Sequence, residues 1–423
     1  MTAETMLTTV KEELNKRFNR LVGTSSTNLC THCGWCIEAC HIYQATGDPD
    51  KSPVAKAEKV RRVLKTDHDW MSKIFPSWTG AKKLSEEDLE EWLHAAYRDC
   101  TLCERCVINC PLGVETPQIL AAARGALTAV GKNPEILTDL AEIAISRGEN
   151  LDSYRDSFKH HMTRFEKLVQ DKLKDPEARI PMEEQADILY VPLSGAHTIV
   201  PAAVVFNKAG ASWTMSMFEA SNYGLFMADG AKAKKITQRI LDEAERLNVK
   251  EVVVSECGHA YGIMKWEAPK WFGGQLPFKV RSILEVLDEY VAKGLVKMDQ
   301  SKVDLPVTYH DPCNIGRKGG IFEEPRNVIK ASVKDYREMT PSKVESYCCG
   351  GGSGMVACAE WEDDRLLYGK VKADQIKGTG ARRVITSCDN CIHQIMELGE
   401  YYELDIEVSN VSQLLMDTII VED

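Results

Sequence analysis

Two stretches of this 423-residue chain repeat one cysteine spacing, CxxCxxCxxxC, and no other feature restricts the fold as strongly. The first holds Cys30, Cys33, Cys36 and Cys40; the second holds Cys100, Cys103, Cys106 and Cys110, followed by Pro111. One CxxC alone could be a redox dithiol or half a zinc site. Three cysteines at i, i+3 and i+6 let a single loop wrap three corners of a cubane, so iron–sulfur is expected over zinc.

A second group stands downstream. Cys313 lies on His310-Asp311-Pro312-Cys313-Asn314, Cys348 and Cys349 precede Gly350, and Cys388 and Cys391 form a CxxC. Adjacent cysteines suit an ordinary core poorly, because a disulfide between neighbours is strained. Five thiolates spaced as C, CC and CxxC suggest soft-metal ligation. Of the fifteen cysteines only Cys257 and Cys358 fall outside these sets. Cys358 is expected to be a small buried hydrophobe. Grouping in ligand-like runs separates the chain from a secreted disulfide scaffold.

In two-cluster ferredoxins the fourth cysteine of each run crosses to the other cluster. The expected sets are therefore Cys30, Cys33 and Cys36 with Cys110, and Cys100, Cys103 and Cys106 with Cys40, each for a [4Fe-4S] cubane. His41 stands where proline often follows the fourth cysteine, which removes no ligand. His32, Trp35 and His41 are expected to pack and hydrogen-bond around sulfur rather than ligate.

Residues 1–22 space Met6, Leu7, Val10, Leu14, Phe18 and Leu21 as one face of a helix, packed on its own domain or docking a partner. Trp70, Trp78 and Trp92 are expected to be core aromatics of the insertion between the cysteine runs. Ser85 followed by Glu86, Glu87 and Asp88 marks a helix start. The pattern is helical over 116–173, with Gly148 as a stop. The charged stretch 175–185, containing Pro176 and Pro181, reads as a linker.

From Asp187 the period changes. Short apolar runs at 188–191, 213–217, 252–254, 307–309 and 384–386 alternate with amphipathic helices, an α/β signature with parallel strands. Cys257, Cys313 and Cys388 each fall just past a strand, where parallel sheets place ligands. The half also repeats itself. Residues 252–264 overlay 384–396 without a gap, setting Glu256 against Cys388 and His259 against Cys391. Asn222-Tyr223-Gly224 matches Cys348-Cys349-Gly350, and Ser194 falls near the place of Cys313. The first copy thus lacks the cysteines but keeps Cys257, one position out of register. Glu256, Cys257 and His259 are expected to line the terminal redox site. Gly350-Gly351-Gly352-Ser353-Gly354 lacks a P-loop lysine and reads as backbone that approaches a cluster closely.

The five-cysteine arrangement resembles the CCG domain of the heterodisulfide reductase family, and two ferredoxin-type runs before two CCG-type repeats resemble its D-type subunit, a fused B/C architecture. Single-CCG relatives (DsrK-like, TmcB-like and BamD-like subunits) are similar in having one complete copy. The resemblance implies an α+β multidomain chain. A helical ferredoxin-like domain with two cubanes spans 1–180. A degenerate CCG-type α/β repeat follows at 187–300, and a complete one at 301–423. It implies that Cys313, Cys348, Cys349, Cys388 and Cys391 hold a noncubane [4Fe-4S] cluster, and that the chain carries electrons between cubanes and that cluster. Alternatives are a thiol–disulfide reductase acting at the noncubane cluster, and the electron carrier of an electron-bifurcating class II benzoyl-CoA reductase complex. The implied partners are a flavin-containing HdrA-like subunit or a haem-bearing membrane subunit.

The net charge of −11 argues against nucleic acid. The N-terminus shows no secretory signal and no apolar run reaches the roughly 18–20 residues of a span. A cytoplasmic protein of a reducing compartment is expected, touching a membrane only through a partner.

Overall fold

The computed structural model describes residues 1–18, 28–147, 155–193, 195–215 and 217–421. Leu21, Gly148 and Ser194 lie outside the described residues. Two compact units are interleaved along the chain. The first comprises Met1–Thr138, Tyr223–Gly230 and Val344–Asp374, and the second Asp139–Asn222, Ala231–Lys343 and Gln375–Asp423. The units describe compactness and leave the boundaries 1–180, 187–300 and 301–423 as a reading of the sequence repeats.

The first unit is helical and is built around Thr116–Thr128, whose alanines and glycine let neighbours approach closely on several sides. Ala3–Arg17, Pro53–His68 and Glu86–Leu93 pack against it. Ala3–Arg17 turns Val10 and Leu14 inward, so it packs on its own unit. Ser85 and Asp88 form a capping box at the start of Glu86–Leu93. Trp92 is fully buried, and its Nε1 donates to the Lys59 carbonyl at 3.1 Å. Trp70 and Trp78 correct the sequence reading: they are 69% and 76% exposed. They belong to the turns around Met71–Lys73 and Pro76–Thr79, which are too short to present an inward face.

The second unit holds two parallel sheets. Strands β1 (Ile188–Val191), β2 (Trp213–Met215), β3 (Glu251–Val254) and β4 (Lys279–Ser282) are ordered β2-β1-β3-β4. Strands β5 (Val307–His310), β6 (Arg383–Thr386) and β7 (Glu407–Ser409) are ordered β5-β6-β7. A parallel bridge from Val307 to Tyr336 occupies the place of β2 in the second sheet, so both sheets follow the same order. β2 stops at Met215, short of the apolar run to Met217, and the polar-looking β4 and β7 were not visible as apolar runs. The 175–185 stretch is no free linker. Met215 N donates to Pro181 O and Glu183 N to Met215 O, stitching it along β2.

Candidate metal centres

The two ferredoxin-type loops adopt the same backbone conformation. His32 and Gly34 have φ of 55° and 85°, and their counterparts Leu102 and Glu104 have φ of 51° and 64°. Left-handed residues are uncommon outside glycine. Their recurrence at the second and fourth positions after Cys30 and Cys100 shows that spacing, not side-chain identity, dictates the turn. A short helix follows each loop, Trp35–Ala39 and Arg105–Ile108. The two helices pack together, which brings each fourth cysteine back toward the opposite loop.

Two concavities result. One is lined by Cys30, Cys33, Cys36, Cys106 and Cys110, and encloses about 420 Å³ including its mouth. The other is lined by Cys40, Cys100, Cys103 and Cys106, and encloses about 350 Å³. Cys110 thus reaches the Cys30 loop and Cys40 the Cys100 loop. The crowding is chemically telling. Burial first, then the charges of Cys30 and Cys110, pushes the Cys36 thiol up to about 11. Burial, then Cys103, Cys100 and Cys40, pushes Cys106 up well beyond the ordinary thiol range. Thiols forced together in this way fit a soft cationic centre, which draws off their protons on binding.

The concavities differ in surroundings. Beside the first, Cys33 is exposed and Trp35 is 68% exposed. Beside the second, Lys56 is buried, with Nζ donating to the Asp99 carbonyl at 2.5 Å and lying 3.7 Å from Cys40 Sγ. Burial alone would lower its pKa, but Cys40, Cys100, Asp99 and Cys106 outweigh that and hold it above its ordinary value. Arg124, fully buried, donates to the carbonyls of Ala96, Cys100, Phe226 and Ser353, all at 2.8 Å. Its guanidinium also lies over the Tyr97 ring.

Cys348 and Cys349 are buried in the first unit. The Thr101 hydroxyl lies 3.4 Å from Cys348 Sγ, and Ser353 Oγ donates to the Thr101 carbonyl at 2.8 Å. Gly350 N also points to Cys348 Sγ, at 3.4 Å. Gly350 and Gly354 carry φ of 101° and 91°, left-handed turns that favour glycine, and the one at Gly350 sets its N–H toward sulfur. His41, Cys103 and Cys348 converge, their ligand-type atoms lying within 4.8 Å of one another. Among the described residues His41 Nε2 has no hydrogen-bond partner there, and it is buried. Cys358 is buried, with Sγ 3.5 Å from the Gly354 carbonyl, and joins no ligand set among the described residues.

In the second unit Cys313, Cys388 and Cys391 are buried just past the carboxyl ends of β5 and β6. Cys388 caps the helix Asp389–Tyr401, and Cys257 caps Gly258–Gly262 in the same way after β3. The loops of the two sheets meet. Asn314 Nδ2 donates to His259 Nε2 at 3.1 Å and lies 3.5 Å from Cys313 Sγ. A Cβ on Gly258 would sit 2.6 Å from backbone and Cβ atoms of Asn314, so only glycine fits that approach. His197 Nε2 lies 2.8 Å from Asp389 Oδ1. Burial, then the charges of Cys388 and Asp389, pushes the Cys257 thiol up to about 12. Glu256 is buried and accepts from Val411 N at 3.0 Å, Ser412 N at 2.8 Å and Ser412 Oγ at 2.5 Å. Burial raises its carboxyl while these donors lower it, leaving it above the ordinary carboxylate range. Glu256 therefore anchors the start of the helix Val411–Thr418, and both its oxygens are occupied.

Sequence reasoning passed over Lys56, Thr101 and Arg124. Two signals could have found Lys56 and Arg124. Lys56 lies on the inward stripe of Pro53, Ala57, Val60 and Leu64, and Arg124 interrupts an alanine run. A charge on a buried face needs a partner.

Residues 26–114 match the 4Fe-4S dicluster domain family, and residues 307–396 the CCG cysteine-rich domain family. The chain is similar to the Hdr-like menaquinol oxidoreductase iron-sulfur subunit 2 of Archaeoglobus fulgidus, 28% identical, covering 93% of this chain and 80% of that one. It is similar to the Hdr-like menaquinol oxidoreductase iron-sulfur subunit of Archaeoglobus profundus, 27% identical over 99% and 83% of the two chains. A third relative is a subunit of the dihydromethanophenazine:CoB–CoM heterodisulfide reductase of Methanosarcina mazei, 25% identical over 92% and 93%. Among the described residues no helix is long and apolar enough to cross a membrane.

Proposed function

We propose that the chain is the electron-transfer subunit of a heterodisulfide-reductase-like oxidoreductase complex. Two cubane [4Fe-4S] clusters are assigned to Cys30, Cys33, Cys36 and Cys110, and to Cys100, Cys103, Cys106 and Cys40. A noncubane [4Fe-4S] cluster is assigned to Cys313, Cys348, Cys349, Cys388 and Cys391. When bound, such clusters supply one-electron transfer at potentials that charge, hydrogen bonding and exposure adjust. The observation carrying the reading is the contact between Thr101 and Cys348, which joins the second cysteine run to the CC pair through one hydrogen bond. The partner is a flavin-containing or a haem-bearing membrane subunit; the names of the relatives as menaquinol oxidoreductase and heterodisulfide reductase subunits favour a membrane-linked complex.

His259 and Cys257 are assigned to the terminal site, with Glu256 holding the helix beside it. A thiol held at about 12 is protonated at neutral pH. Cys257 is therefore poorly suited to act as a thiolate nucleophile, which favours electron transfer over thiol–disulfide catalysis by this residue.

Anaerobic iron and sulfide analysis is expected to give about twelve iron atoms per chain, four for each cluster. About eight would leave the CCG set without iron and overturn the assignment. His259→Ala is expected to keep the iron content and change the noncubane EPR signal through the Asn314–Cys313 contact. An unchanged signal and unchanged electron transfer to the partner would make the first repeat scaffold only.

A further inference from the structure

We propose that Lys56 sets the reduction potential of the second cubane site above that of the first, so that an electron entering this subunit comes to rest beside the Cys348-Cys349 pair. The inference deepens the reading of two cubane sites and rests on it.

Lys56 is 2% exposed. A buried ammonium is costly unless an opposite charge faces it. The Asp99 carboxylate contributes charge but, among the described residues, no direct ion pair. Asp99 spends its oxygens on Arg98, at 3.0 and 3.2 Å, and on the Tyr368 hydroxyl at 2.6 Å. Lys56 takes only the Asp99 backbone carbonyl, and among the described residues it forms no ion pair with a carboxylate. Among the described residues its other hydrogen-bond partner is Cys40 Sγ at 3.7 Å. The positive charge is therefore aimed at the sulfurs of the second set and is held there by the rigid helix Pro53–His68.

The two sites are not treated alike. Lys56 lines the concavity of the second set and is not among the residues lining the first. Cys33 is exposed, so water screens charge at the first set, whereas burial at the second leaves the Lys56 interaction strong. Reduction adds one negative charge, and a buried cation at hydrogen-bond range favours the state that carries it. The favoured site is also the one whose Cys103 lies with Cys348 and His41, and whose Thr101 touches Cys348. Lys56 acts through the cluster ligands and is a positioning charge, not a catalytic residue.

The test is an EPR-monitored redox titration of the iron-loaded full chain. Lys56→Met is expected to reduce the second cubane's reduced-to-oxidised ratio at fixed potential at least tenfold, a downward shift of about 59 mV for one electron. The first cubane should not move, and Lys56→Arg should restore the ratio. Full iron content with no shift, an equal shift of both cubanes, or Lys56→Arg behaving as Lys56→Met would overturn the proposal. If the Met variant does not load iron, the wild type decides. The higher-potential cubane must be the one whose signal Cys103→Ser disturbs; if Cys33→Ser disturbs it instead, the proposal fails. Absence of two cubane signals in the wild type would reject the cluster assignment itself, a result separate from any of these.

Discussion

Arg124→Met is expected to lower the stability of the iron-loaded chain by about 3–5 kcal/mol, among the largest effects of any single substitution outside the cysteines. The guanidinium donates to four carbonyls from four stretches of chain: Ala96 in the π-turn before the second run, Cys100 at its head, Phe226, and Ser353 in the glycine-rich segment. Methionine retains most of the volume and removes every donor. Each abandoned buried carbonyl costs on the order of 1–3 kcal/mol, and partial relaxation brings the total below the simple sum. Lysine should rescue little, since one ammonium cannot replace a planar fork reaching in four directions. The measurement is the unfolding temperature at fixed scan rate, which should fall by roughly 10 °C for a unit of this size. A drop of only a degree or two would mean that the four segments are held by other contacts.

Exchange of fourth ligands should show as cross-damage. Cys110→Ser is expected to remove or convert the cluster assigned to Cys30, Cys33 and Cys36, although Cys110 belongs to the other run. Cys40→Ser should do the same to the Cys100 loop. The reason is placement: Cys110 lines the concavity of the first loop and Cys40 that of the second. Each variant should lose up to about four iron atoms and one of two resolvable cubane EPR signals. Pairing each lost signal with that lost in Cys33→Ser and Cys103→Ser identifies the cluster. If Cys110→Ser matches Cys103→Ser, the ligands do not cross.

The cysteine chemistry needed no structure to read. Thiols at i, i+3 and i+6 leave the loop little choice, and His32 and Leu102 take the same left-handed turn despite sharing no chemistry. Alternation of apolar runs with amphipathic stretches likewise determined the parallel sheets, because buried strands advertise themselves. β4 and β7 escaped because they carry Lys279, Arg281 and Glu407 on exposed or half-exposed positions. Trp70 and Trp78 escaped in the opposite sense: tryptophan says nothing of whether its turn has anything to pack against. Glu256 aligned with a lost cysteine, yet only folding brought Val411 and Ser412, over 150 positions away, onto its carboxylate. Lys56 and Arg124 are the same lesson in charge. Local pattern determined that they face inward, but what they face is carbonyls and sulfurs from distant segments. A sequence states which groups a residue offers; long-range packing alone decides which groups answer it.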